Sequence, residues 1–173
     1  MAGWWDAIAG DFIHDLGNEA QLGRAVVRLL VAAALGAALG LEREWAHKPA
    51  GLRTHILITL GSAFLVLIPV VAGMNDAEIS RVIQGLLAGI GFLGGGAILK
   101  HSNQDQVRGL TTAAGLWLAA AVGIAAGLGR LILAIMVTTV ALLVLVALRP
   151  LEKHDPEHRK EAEQPDGRPH ITV

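Results

Sequence analysis

Apolar and small residues run together in five stretches of this chain: 22–41, 56–74, 82–99, 110–128 and 131–148. About 20 mainly apolar residues in helical conformation cross the hydrocarbon of a bilayer, so each stretch predicts a transmembrane helix. Ahead of them, Trp4, Ile8, Phe12 and Leu16 recur every four residues, with Asp6, Asp11, Asp15 and Glu19 elsewhere. That spacing predicts a short amphipathic helix over 1–21, lying at the membrane surface with Trp4 and Trp5 at headgroup depth. Residues 149–173 are polar, charged and proline-containing, which predicts a disordered tail. The pattern therefore predicts an all-α integral membrane protein. Its core is a compact five-helix transmembrane domain over 22–148, preceded by an interfacial segment.

Composition supports a bilayer as the solvent. Hydrophobic residues make up 53% of the 173, yet aromatics are only 4%, and 21 glycines are scattered through the apolar runs. A water-soluble core would need more aromatic bulk and polar faces to cover it. With no cysteine, disulfides, thiolate metal sites and a cysteine nucleophile are excluded. A net charge of −1 gives no footprint for nucleic acid.

The placement of charge says more than its sum. Arg43, Lys48 and Arg53 join Lys100, Arg108 and the basic tail on one side of a five-span chain, leaving Arg24, Arg28, Arg81 and Arg130 on the other. The positive-inside rule makes the first side cytoplasmic. The expectation is an inner-membrane protein with its N-terminus periplasmic and its C-terminus cytoplasmic.

Lipid tails are as apolar as leucine, so membrane helices associate where small residues let backbones approach. Gly36/Gly40, Gly85/Gly89, Gly91/Gly95 and Gly123/Gly127 have GxxxG spacing, which predicts a tight bundle centred on the third span. The same stripes make a homodimer an expectation. The fifth span carries no glycine and is bulky all round, so it is expected to face lipid. The third and fourth spans are short and glycine-rich, and either could be a re-entrant segment. "GFLGGGAILK" (91–100) superficially matches a phosphate loop, but no Gly-Lys-Ser/Thr follows the spacer and no soluble strand precedes it. Gly91, Phe92, Gly94 and Gly95 are therefore read as packing or as a broken helix exposing carbonyls.

A charge at the bilayer centre costs about 2.5–3.5 kcal/mol on insertion scales, so the polar residues within the spans matter. Arg28 can snorkel to the nearer border, or can face inward to a partner. Gln84 sits at the start of the third span, Thr111 and Thr112 open the fourth as candidate caps, and Trp117 lies near its middle. Between the first two spans, "GLEREWAHKPAGLRTHIL" concentrates Glu42, Arg43, Glu44, His47, Lys48, Arg53, Thr54 and His55. Pro49-Ala50-Gly51 is turn chemistry, with Gly51 free to take positive φ, and a short turn brings Glu42 within plausible reach of Arg53. Two readings stand at this point: a polar cluster of Glu42, Arg43, Arg53, Thr54 and His55 with Thr111 and Thr112 at the inner mouth of the bundle, or a solvated loop. Glu42, Glu44, Asp76 and Glu78 are weak candidate metal ligands because they lie near membrane borders. His154 and His158 are read as solvated tail, since Pro156 interrupts their spacing.

"GLEREWAHKPAGLRTHILITLGS", "GIGFLGGGAIL" and "VRGLTTAAGLWLAAAVGIAAGLG" resemble, in order and spacing, the MgtC/SapB family of bacterial inner-membrane proteins. The resemblance covers roughly residues 25–148. It implies five spans with the N-terminus outside and a link to magnesium homeostasis. In virulence-associated members it also implies survival inside host cells and restraint of the ATP synthase. The family's signature positions fall on Gly40, Glu42, Arg43, Gly51, Arg53, Thr54 and His55, then on Gly91, Phe92, Gly94, Gly109, Leu110, Thr111, Thr112 and Trp117. Longer members carry a soluble C-terminal domain; here a short polar tail stands in that place, so the expectation is the short SapB-like form.

Three function classes follow. A regulator that binds another membrane protein suits the glycine stripes. A transporter or channel for Mg²⁺ or another small ion is the alternative, because threonines, Gln84 and glycine carbonyls can supply oxygens even where central carboxylates are missing. An enzyme fits worst, since no Ser/His/Asp set or metal constellation appears. No cofactor is expected beyond a possible Mg²⁺.

Overall fold

The computed structural model describes Gly3, residues 19–100 and residues 107–152. Five helices are long and apolar enough to cross a membrane: α1 (Glu19–Trp45), α2 (Leu52–Val71), α3 (Asp76–Ala97), α4 (Leu110–Gly127) and α5 (Leu131–Glu152). The all-α membrane bundle read from the apolar runs is the fold observed. Among the described residues a two-residue antiparallel ladder, β1 (Leu99–Lys100) with β2 (Val107–Arg108), is added, pairing Leu99 with Arg108. The interfacial helix expected over 1–21 lies outside the described residues except for Gly3 and 19–21, and the latter belong to the first turn of α1. Residues 153–173, with His154 and His158, also lie outside, but helix continues to Glu152, so 149–152 are not tail.

Helix ends differ from the expected spans where charge had been read as loop. Helix α1 continues through Glu42, Arg43, Glu44 and Trp45, and α2 starts at Leu52 rather than at 56. The turn between them is consequently only 46–51. It opens with a Schellman motif, Lys48 N–H donating to Arg43 O at 3.0 Å and His47 N–H to Glu44 O at 3.0 Å. That motif puts its C′ residue in the left-handed region, and here the residue is His47, at φ 54°. Ala50 is also left-handed, at φ 58°, whereas Gly51 is extended at φ −82°, so the expected role for Gly51 falls on its neighbours. The same motif ends α2 and α4, with glycine at C′: Gly73 at φ 70° and Gly129 at φ 77°.

Neither glycine-rich span is broken. Helix α3 opens on a capping box, Glu78 N–H donating to Asn75 Oδ1 at 3.1 Å and Asn75 N–H to Glu78 Oε2 at 2.9 Å. Helix α4 opens at Gly109 with no side-chain cap, so Thr111 and Thr112 do not cap it. Gly109 is left-handed at φ 95°, and a Cβ there would overlap the Ala97 carbonyl oxygen.

The bundle is centred on α4, not on α3. Half of the apolar stretch of α4 is buried, against 11% in α3. The reason lies in which glycines meet a neighbour. A Cβ on Gly123 would overlap the Thr59 carbonyl, one on Gly127 would sit 2.6 Å from Ala63 O, and one on Gly40 would sit 2.6 Å from Leu52 Cα. Helix α2 is therefore clamped between α1 and α4 by backbone contact. Ala32, Ala63 and Ala126 fill the three-way junction, while Leu39, Ala119, Val122 and Ala134 join α1, α4 and α5. By contrast, a Cβ on Gly85, Gly89, Gly91 or Gly95 would meet nothing within 4 Å. Helix α5 exposes Ile132, Met136, Val140 and Leu143, as expected of a lipid-facing helix.

Candidate functional site

The last turns of α1 and the first turns of α2 and α4 meet at the end of the bundle where the 46–51 turn lies. Gly36, Leu39, Gly40 and Arg43 follow helical spacing and are all buried, so Arg43 shares the face that packs on α2. Glu42 and Arg43 are 7% and 4% exposed, and Arg43 Nε donates to Glu42 Oε2 at 2.5 Å. Glu42 Oε1 and Arg43 Nη1 are buried without a hydrogen-bond partner among the described residues. A buried ion pair needs its remaining donors and acceptors satisfied to offset desolvation. This pair leaves polar capacity unused.

His55 is 1% exposed, and its Nδ1 lies 3.1 Å from Gly51 O. A carbonyl oxygen only accepts, so Nδ1 carries the proton and Nε2 is left with a lone pair in the neutral ring. Nε2 faces Gly115 of α4, where a Cβ would lie 3.6 Å away. Arg43, His55 and Thr111 line one cavity of about 540 Å³, whose remaining wall is apolar and comes from α1, α4 and α5.

The expected cluster is thus divided. Glu42, Arg43 and His55 are buried together, and Thr111 joins Arg43 and His55 on the cavity wall. Arg53 and Thr54 are exposed, so the expected Glu42–Arg53 pairing is replaced by Glu42–Arg43. The reason is helical phase: with α2 starting at Leu52, His55 turns inward and Arg53 and Thr54 turn out. Thr112 is buried. Glu44 accepts from the Leu52 N–H at 3.1 Å and satisfies a free donor at the start of α2.

The other candidates lie elsewhere. Arg28 Nη1 donates to Gly127 O at 3.0 Å near the opposite end, which is the inward partner of the two readings. Trp117, Gln84 and Phe92 are exposed on α4 and α3. A Cβ on Gly94 would lie 3.8 Å from Ala113, while one on Gly91 or Gly95 would meet nothing within 4 Å. Asp76 and Glu78 start α3, away from Glu42 and Glu44, and no three metal-ligating side chains converge among the described residues. The apolar wall from α5 and the opening at Gly115 were not foreseen. The spacing of Gly36, Gly40 and Arg43 was the available signal that Arg43 points inward.

A family model described as MgtC family matches residues 29–154. An uncharacterized protein from Synechocystis is 42% identical over 142 residues, covering 80% of this chain and 59% of the relative. Protein SrpB from Synechococcus elongatus is 40% identical over 137 residues, covering 73% of this chain and 75% of the relative. Protein MgtC from Brucella abortus is 44% identical over 118 residues, covering 68% and 48%. The chain thus spans less than two thirds of the Synechocystis and Brucella relatives. No solved structure matches it.

Proposed function

The chain is a multi-pass membrane protein belonging to the MgtC family, and from that premise we propose that it serves magnesium homeostasis by binding another membrane protein. The observation that carries this reading is the outer face of α3. Gly85, Gly89, Gly91 and Gly95 are exposed there with nothing facing them, and Gln84 adds a hydrogen-bonding group. Small residues gain little from lipid contact, and at Gly36, Gly40, Gly123 and Gly127 such residues are where helices meet. Helix α5, which is equally exposed, carries bulky Ile, Leu, Met and Val with no glycine, whereas α3 exposes Phe92 and Leu93 among its glycines. The α3 face suits a partner's transmembrane helix, and binding rather than catalysis is the activity it supports.

The cavity supports the same choice over cation transport. Mg²⁺ is held by oxygen ligands, yet the side-chain oxygen on the cavity wall is that of Thr111 and the rest of the wall is almost wholly apolar. The test is reconstitution into liposomes together with growth of the producing bacterium at low Mg²⁺. Expected are no Mg²⁺ flux above empty liposomes and loss of low-Mg²⁺ growth in the folded Gly89→Leu variant. Specific Mg²⁺ flux by the purified protein overturns the reading.

A further inference from the structure

One face of α5 stands away from the bundle. Leu133, Met136, Val137, Val140, Ala141 and Val144 recur at helical spacing, and all line the cavity. Ala114 and Gly115 of α4 lie in the wall as well, and their small size gives the cavity its depth. The wall is almost wholly apolar, and Arg43 and His55 in it are 4% and 1% exposed, so neither offers a polar partner to an occupant. An apolar space does not hold water, which needs two or more polar partners. Left empty, it would forfeit the packing contacts of its lining.

The dimensions limit what can fill it. The wall follows α5 from Leu133 to Leu145, about 18 Å at 1.5 Å per residue. A volume of about 540 Å³ over that length leaves a mean cross-section of about 30 Å², or a width of about 6 Å. A helix with its side chains is about 10–12 Å across, so a partner's transmembrane helix is too thick to enter. A single hydrocarbon chain, whose carbons pack on neighbours at about 3.5–4 Å, is thin enough. The length is also close to one leaflet's share, roughly 15 Å, of the hydrocarbon core.

The route in is lateral. Leu133, Met136, Val140 and Val144 line the cavity and are also about half exposed or more. The cavity wall is therefore continuous with the lipid-facing surface of α5. We propose that the groove holds one acyl chain of a bilayer lipid, recognised by its hydrocarbon and not by its head group.

The experiment is native mass spectrometry of the full chain after exchange into vesicles of phosphatidylcholine, phosphatidylethanolamine and phosphatidylglycerol in equal parts, all with the same acyl chains. Wild type is expected to retain one lipid per chain, with the three heads represented within roughly twofold of one another. Met136→Trp and Val144→Trp fill the groove from half-exposed positions, and each is expected to lower retention roughly tenfold. Leu143→Trp lies on α5 outside the groove wall, is equally exposed, and is expected to retain the lipid as wild type does. Circular dichroism reports whether the variants fold. No retained lipid in wild type, or a tenfold preference for one head, overturns the proposal without recourse to any variant. Unchanged retention in a folded Met136→Trp or Val144→Trp variant, or equal loss in Leu143→Trp, overturns it as well.

Discussion

Arg28 of α1 donates to the carbonyl of Gly127, in the last turn of α4, at 3.0 Å, and its guanidinium lies where a side chain on Gly129 would have to go. The last carbonyls of a helix lack intrahelical partners and carry the negative end of its dipole, so a cation there is favourable. A hydrogen bond from a charged group contributes about 1.5–3 kcal/mol. Arg28→Ala is expected to lower stability by that order, read as the denaturation midpoint in detergent. Arg28→Lys should recover part of it.

The glycines separate into packed and open sets, and alanine distinguishes them. Gly123→Ala places a methyl group on the Thr59 carbonyl and should cost roughly 1–3 kcal/mol. Gly89→Ala meets nothing within 4 Å and should leave the midpoint unchanged or slightly raised. Equal effects of the two substitutions would contradict the packing described.

Glu42 and Arg43 pair with each other at a buried site. Removing one partner strands a charge, at a cost of about 3–5 kcal/mol, whereas removing both leaves none. Glu42→Leu and Arg43→Met should each destabilise strongly, and the double variant should be more stable than either. Additive losses in a double-mutant cycle would show the two residues to be uncoupled.

His47 occupies the left-handed C′ position of a Schellman motif that glycine fills at the ends of α2 and α4. The left-handed conformation costs an L-residue roughly 1–2 kcal/mol. Glycine also gains freedom in the unfolded chain, so His47→Gly should raise stability by about 1 kcal/mol or less. Thermal unfolding in detergent checks it; a loss of stability would mean that the His47 ring contributes to the turn.

The five helices were legible because runs of about 20 apolar residues have few other solutions. Their ends were less so. Glu42, Arg43 and Glu44 look like loop because charge usually marks the membrane border, yet all three are helical, and Glu42 and Arg43 turn inward as a pair. The expected Glu42–Arg53 pairing failed on phase: Arg43 and Arg53 offer the same chemistry, and only the start of α2 at Leu52 decides which points inward. The centring on α3 failed similarly. GxxxG spacing marks where a helix can be approached, and Gly85 and Gly123 look alike until the neighbour is known. The α5 wall of the cavity was hidden because leucine and valine facing a groove read the same as those facing lipid.

The central claim is that the α3 face binds another membrane protein. A photoreactive amino acid placed in turn at Gln84, Ala88 and Phe92 on α3, and at Ile132, Met136 and Val140 on α5, tests it most directly in native membranes. The account predicts one discrete protein adduct from the α3 positions, of a mass distinct from two copies of this chain. That adduct should disappear in Gly89→Leu together with low-Mg²⁺ growth, while the α5 positions give lipid adducts alone. Lipid adducts from both helices, or a protein adduct that persists in Gly89→Leu, would contradict it.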